Sequence, residues 1–75
     1  MLTDAQRQAL EADLAASPKW WSPSAAADLL VGYGVRREGS YWIALEALRA
    51  LEDEGKLERL DDGKYRFEWW RWRSE

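Results

Sequence analysis

The chain has 75 residues, with six tryptophans, no cysteine, no histidine and a net charge of −3. This length suits one small domain spanning residues 1–75, and without cysteine or histidine the chain can form neither a disulfide nor a Cys/His zinc site. We find no apolar run of membrane-spanning length and no signal peptide, so we expect a cytoplasmic protein that does not enter a membrane.

The charge is unevenly distributed along the chain. Counting lysine and arginine as positive and aspartate and glutamate as negative, the net charge is −1 for residues 1–39, −4 for residues 40–63 and +2 for residues 64–75. Binding to nucleic acid draws most of its non-specific affinity from cations that neutralise phosphates. The acidic middle segment therefore weighs against nucleic acid as its partner.

Capping residues predict the first two helices. Thr3 and Gln6 have the spacing of a capping box, which predicts a helix over 4–16 with Leu10 and Leu14 on its buried side. Residues 19–21 then predict a short extra strand. Ser22 before Pro23 is typical of a helix start and predicts a second helix over 23–31, which the following glycines end.

Apolar spacing predicts the third helix, over 40–54. Ala44, Leu48 and Leu51 recur on one face with Tyr41 a turn earlier, and we expect both leucines to be buried. Ser40 is placed to cap this helix, and Gly55 to end it. With Leu48 inward, rotation by about 100° per residue turns six positions outward: Trp42, Ile43, Glu46, Arg49, Ala50 and Asp53.

A hairpin should follow the third helix. Its strands are predicted at 56–60 and 64–70, joined by a tight turn at Asp62 and Gly63. Alternation places Tyr65, Phe67 and Trp69 inward. A bulge near residues 69–70 would reverse this pattern and turn the neighbouring tryptophans inward instead.

Three segments resemble the winged helix-turn-helix family, many of whose bacterial, archaeal and phage members are transcription regulators. They are the entry to the second helix, the end of the third helix with the first strand, and the hairpin: residues 20–30, 48–59 and 61–67. The resemblance implies an α+β winged-helix fold, with three helices followed by a two-stranded wing. It also implies a small transcription regulator that binds double-stranded DNA as a dimer.

Six residues are candidates for DNA contact: Arg36, Arg37, Ser40, Arg49, Lys64 and Arg66. In such a complex Arg49 would contact base edges, and the cations of the loop and the wing would contact the phosphate backbone. Alternatively, the loop arginines are ordinary solvent-exposed residues, and Arg49 pairs with the acids of its own helix face. Those acids, Glu46 and Asp53, would repel phosphates.

A protein-interaction module is the alternative function, for example a phage-like inhibitor or adaptor that docks on a nucleic-acid-handling machine. Its candidate residues combine the third helix with the tryptophan-rich tail: Trp42, Glu46, Trp70, Trp72 and Arg73. Tryptophan and arginine are enriched at binding hot spots. The tail could instead fold back over the first helix as core, and we expect Trp69 to belong to the core and Trp72 to an interface.

Catalysis is not expected from this composition. No histidine or cysteine is present to act as general base or nucleophile near neutral pH, and no glycine-rich phosphate loop follows a strand. The acidic run at 52–54 lacks the loop spacing that arranges oxygen ligands around a cation. We therefore expect no catalytic residue, metal, cofactor or small-molecule substrate.

Overall fold

The computed structural model describes residues 2–62, 64 and 67–74, with positions 62 and 67 described by their backbone alone. Its elements follow in chain order: α1 (Asp4–Ala16), α2 (Pro23–Gly32), α3 (Ser40–Asp53), β1 (Leu57–Asp62) and β2 (Phe67–Trp72). The strands form a two-stranded antiparallel sheet. The predicted α+β class, with three helices before a hairpin, is confirmed.

Side-chain caps begin the first two helices, as predicted. The Thr3 hydroxyl accepts a hydrogen bond from the Gln6 backbone N–H at 3.1 Å, and the Gln6 side chain accepts one from the Thr3 N–H at 3.0 Å. The Ser22 hydroxyl accepts from the Ala25 N–H at 3.1 Å, with Pro23 in the first turn. These bonds satisfy N–H groups that a helix start leaves without a partner.

The start of α3 differs from its prediction. Gly39 is the N-cap with a φ of 80°, and no side chain caps the helix. The Ser40 side chain is buried, and its hydroxyl donates a hydrogen bond to the Arg37 carbonyl at 2.8 Å. The prediction that Ser40 caps α3 is therefore wrong, because a glycine in the left-handed region already turns the chain into the helix.

Glycine also ends α3, here as predicted. Gly55 has a φ of 81°, and the following Lys56 N–H bonds back to the Leu51 carbonyl at 2.9 Å. This is the bond pattern of a Schellman motif, which favours glycine at the left-handed position. It reverses the chain directly into β1.

The core lies between the three helices and one face of the sheet. Its fully buried large side chains come from every helix and both strands: Leu10, Leu14, Leu30, Leu48, Leu51, Leu57 and Trp70. The predicted burial of Leu48 and Leu51 is confirmed. Tyr41, predicted on the same face, is instead exposed at 43%.

The phase of β2 is opposite to the predicted one. Pairing is continuous from Leu57 opposite Trp72 to Asp62 opposite Phe67, without a bulge. In this register Trp70 is fully buried, whereas Trp69 is only half-buried. The prediction that Trp69 points inward is therefore wrong, while Tyr65 and Gly63 of the predicted hairpin lie outside the described residues.

Trp70 also joins the sheet to the segment before α2. Its N–H and carbonyl bond the carbonyl and N–H of Trp21 at 2.9 and 2.6 Å. This is one isolated antiparallel bridge, so the strand predicted at 19–21 is reduced to a single residue. The bridge adds a third chain segment beside β2.

Polar contacts tie α1 to the other elements. The Tyr33 hydroxyl donates a hydrogen bond to the Asp13 carboxylate, and Lys56 pairs with Glu11 at 2.7 Å. The hydrogen bond that Tyr33 donates to Asp13 raises the pKa of Tyr33, and the bond that Lys56 donates to Glu11 raises the pKa of Lys56. No helix in the described part of the chain has the length and apolar character needed to cross a membrane.

Replacing Leu48 by alanine should destabilise the fold by about 2 to 5 kcal/mol, because it removes fully buried methyl groups and leaves a cavity. Leu60→Ala is the matched control, since Leu60 is 47% exposed on the sheet. It should change the free energy of unfolding by roughly 0.5 kcal/mol or less. Urea unfolding followed by tryptophan fluorescence measures both, and equal losses would contradict the assigned core.

The pKa of Tyr33 provides a second test. Because it is raised in the folded state, the hydrogen bond to Asp13 stabilises the fold below the unfolded-state pKa, and this stabilisation is lost as pH rises through the folded-state pKa. Asp13→Asn removes the acceptor's charge and should move the Tyr33 transition to lower pH. The midpoint of Tyr33 ionisation is measured by tyrosinate absorbance, as the difference between chains with Tyr33 and the same chains carrying Tyr33→Phe. An unchanged midpoint would contradict the contact.

Candidate functional site

The exposed side of α3 carries a ridge of four side chains at helical spacing: Trp42, Glu46, Arg49 and Asp53. All four were predicted to point outward and are exposed, whereas the flanking Ile43 and Ala50 are half-buried. Trp42 is 67% exposed, more than any other large apolar side chain among those described. We call these four residues the α3 ridge.

Trp42 is held in an aromatic pair. Its ring meets the Tyr41 ring edge to face, with centroids 5.3 Å apart and planes at 90°. This geometry is favoured by the ring quadrupoles and fixes the orientation of two large side chains at the helix start. A preorganised aromatic surface loses little side-chain entropy when a partner binds it.

A groove of about 360 Å³ begins at Tyr41. Tyr41, Leu45 and Trp69 line it together with Glu68 and the start of α2. Its volume falls within the range of pockets that hold small ligands and side chains. We call it the Tyr41 groove.

A second groove lies on the opposite flank of the ridge. It has a volume of about 410 Å³ and runs between the start of α1 and α3. Leu2, Ile43 and Ala47 line it with apolar surface, while Arg7 and Glu46 lie at the same groove. The ridge therefore projects between two concave surfaces.

Arg49 of the ridge and Arg59 of β1 are both paired with carboxylates. Arg59 lies 3.3 Å from Glu52 and 3.0 Å from Glu68, and Arg49 lies 3.9 Å from Glu68. The hydrogen bond from Arg59 to Glu68, followed by the charge of Glu52, raises the pKa of Arg59. Glu52 also accepts the indole N–H of Trp70 at 3.0 Å. We call this group the Glu52–Glu68 network.

The six residues predicted to contact DNA lie in different structural environments. Arg36 and Arg37 are exposed in the loop before α3, where Arg37 lies 3.5 Å from Asp28. Such an exposed ion pair contributes little to stability. Lys64 is exposed at the hairpin turn, and Arg66 lies outside the described residues.

Two of the six have other partners. The Ser40 hydroxyl is buried on the Arg37 carbonyl, and the Arg49 guanidinium pairs with Glu68. The pairing of Arg49 with an acid was anticipated, but with acids of its own helix rather than with the sheet. The Ser40 hydroxyl is thus withdrawn from the surface, whereas the Arg49 side chain stays 57% exposed beside Glu68.

The predicted interaction residues separate into surface and interior. Trp42 and Glu46 are exposed on the ridge, and Arg73 is exposed beyond β2. Trp70 is fully buried, so its assignment to an interaction surface is wrong: its ring completes the core. Trp72 is half-buried and packs against that core, which leaves only part of its surface accessible.

Comparison with family models, with curated proteins and with solved structures found no match to this chain. Among residues 2–62, 64 and 67–74, no three histidine, cysteine, aspartate or glutamate side chains cluster in a way that could hold a metal ion.

Sequence reasoning missed the Tyr41 groove and the Glu52–Glu68 network. The groove depends on Trp69 facing away from the core, which the predicted strand phase reversed. The sequence did contain a signal for the network. Glu68 and Trp70 are two residues apart in β2, so one face of the strand carries both an acid and the buried indole.

Replacing Trp70 by phenylalanine should destabilise the fold by about 1 to 3 kcal/mol, because it removes part of a fully buried ring together with the indole hydrogen bond to Glu52. Trp42→Phe is the matched control on the exposed ridge and should stay within about 0.5 kcal/mol of the parent. Thermal and urea unfolding measured side by side give both values. If Trp42→Phe cost as much as Trp70→Phe, the assignment of interior and surface would be wrong.

Proposed function

We propose that this domain is a non-catalytic winged-helix module that binds another protein through the α3 ridge and the Tyr41 groove. The fold assignment rests on the order of three helices and an antiparallel hairpin, with the Trp21 bridge beside β2. The function rests on one observation: Trp42 stands 67% exposed on the helix that this family uses for recognition. A solvent-exposed tryptophan fits a protein interface, where this residue type is enriched.

The electrostatics of the ridge favour a protein partner over a phosphate backbone. Glu46 and Asp53 are exposed, and the one arginine of the ridge already pairs with Glu68. Binding to DNA at this face would bring carboxylates towards phosphates and would compete for that arginine. A protein partner with complementary charge meets neither cost.

The partner's chemistry follows from the surface. An aromatic or branched aliphatic side chain would enter the Tyr41 groove against Leu45 and Trp69. Lysine or arginine beside it would lie opposite Glu46 and Asp53 and speed association through opposite charge. We therefore expect a basic segment with at least one large apolar anchor.

Duplex DNA is the second candidate, and one observation favours it. Arg36 is exposed in the loop immediately before α3, and Lys64 is exposed at the hairpin turn. Cations at these two places could contact the DNA backbone on either side of a recognition helix. DNA binding through them would be salt-dependent and would not require Trp42.

Selection of a random peptide library against the folded domain tests the proposal. Enriched peptides should combine lysine or arginine with an aromatic or branched aliphatic residue. Trp42→Ala should weaken their binding about thirtyfold or more, since truncation of a hot-spot residue costs about 2 kcal/mol or more. Tyr33→Ala is the control, because Tyr33 is an exposed aromatic residue that contacts α1 rather than the ridge.

The DNA function is tested by titrating the domain into a labelled short duplex in about 50 mM salt and measuring fluorescence anisotropy. Duplex binding that falls with Arg36→Ala and Lys64→Ala but persists in Trp42→Ala would favour the DNA function. Peptide binding equally weakened by Tyr33→Ala would count against the ridge.

A further inference from the structure

Glu68 lies between two concave surfaces of the domain. It lines the Tyr41 groove, and it also lines a cleft of about 330 Å³ that is bordered by Arg49 and Arg59. The Glu68 side chain is 30% exposed. A side chain that enters the Tyr41 groove therefore meets a carboxylate as well as apolar surface.

One oxygen of this carboxylate accepts no hydrogen bond from a described residue. Oε2 accepts a hydrogen bond from Arg59 at 3.0 Å. Oε1 lies 3.9 Å from the Arg49 guanidinium, which is longer than a hydrogen bond. An ionised carboxylate can only accept hydrogen bonds, and each of its oxygens has more than one acceptor position. Glu68 therefore has capacity for a donor that a ligand supplies.

The charges around Glu68 favour a neutral donor over a cation. Glu52 and Glu68 are balanced by Arg49 and Arg59, so these four side chains together carry no net charge. The charged end of a lysine or arginine in the groove would lose its hydration and meet a carboxylate whose charge is already compensated. A hydroxyl or an indole N–H makes the hydrogen bond without the cost of burying a further charge.

The walls of the groove favour an aromatic ring. Tyr41 of α3 and Trp69 of β2 both line it, with Leu45 beside them. Rings pack on one another in edge-to-face and offset arrangements that aliphatic side chains cannot form. The Tyr41 ring is already oriented by its edge-to-face contact with Trp42.

We propose that the Tyr41 groove selects a tyrosine or tryptophan of the partner, whose ring packs against Tyr41 and Trp69 and whose O–H or N–H donates to Glu68. This inference rests on the proposed function and specifies the partner's apolar anchor. Phenylalanine or leucine would cover the same surface and displace water from Glu68 without replacing its hydrogen bond. An acceptor covered in this way costs free energy, so this one contact discriminates between anchors.

Short peptides that differ at one residue test the preference. They are acetylated and amidated Lys-X-Lys tripeptides in which X is tyrosine, O-methyltyrosine, phenylalanine or arginine. NMR titration of the isotope-labelled domain, followed at the backbone amides of Leu45 and Trp69, gives the dissociation constants. The tyrosine peptide should bind about tenfold more tightly than each of the others, since hydrogen bonds to charged groups are the stronger ones.

O-Methyltyrosine is the matched control among these peptides, because it keeps the ring and the oxygen but cannot donate. Tryptophan and its indole-N-methyl derivative form a second matched pair, in which methylation should weaken binding by about the same factor. Both comparisons use the parent domain and do not depend on how any variant folds.

Glu68→Gln should reduce the preference for tyrosine over phenylalanine to about threefold, because a hydrogen bond to a neutral acceptor is roughly half as strong. Glu52→Gln is the control: it also removes a carboxylate charge that pairs with Arg59, but residue 52 does not line the groove. Its preference should equal that of the parent. The preference is a ratio measured on one variant, so a loss that affects both peptides equally cancels.

Four results would overturn the inference: equal binding of the tyrosine and O-methyltyrosine peptides, equal binding of the tyrosine and phenylalanine peptides, tighter binding of the arginine peptide, or equal effects of Glu68→Gln and Glu52→Gln on the preference. Each leaves the proposed function standing, since that function requires only an apolar anchor beside Trp42. Conversely, library peptides that bind Trp42→Ala as tightly as the parent would count against the proposed function, whatever the tripeptides show.

Discussion

The burial of Trp70 is the contact on which the rest of the structure depends. Its ring is fully buried, its indole N–H is bound by Glu52 of α3, and its backbone is bound by Trp21 before α2. One residue thus joins the sheet to a helix and to an interhelical segment. In a domain of 75 residues, where little core is available, a single large ring supplies much of the contact between these layers.

Because Trp70 faces inward, the strand phase determines what the surface presents. Glu68 lies on the same strand face as Trp70, beside α3, where it pairs with Arg49 and Arg59. Trp69 faces the other way and forms a wall of the Tyr41 groove. The Glu52–Glu68 network and the groove therefore follow from one tertiary contact, and together they leave the α3 ridge acidic and aromatic.

Local signals predicted the helix boundaries to within about a residue, because a cap depends on residues only three or four positions apart. The signals were the capping box of Thr3 and Gln6, the N-cap Ser22 and the terminating Gly55. The phase of β2 could not be obtained in this way. A strand with aromatic residues at both odd and even positions has two possible inward faces. The choice depends on the contact of Trp70 with Glu52, 18 residues away in sequence. The exposed Trp42 was predicted because helix periodicity alone determines its direction.

Arg59 links the interior of the sheet to its edge. Its hydrogen bond to Glu68 and the charge of Glu52 raise the pKa of its guanidinium, so its charge is constant over the physiological range. The same two acids join α3 to the sheet, because Glu52 belongs to α3 and Glu68 to β2 and both pair with Arg59. The face of β2 that carries Glu68 therefore fixes the position of the sheet beneath α3, and with it the direction in which the proposed protein surface points.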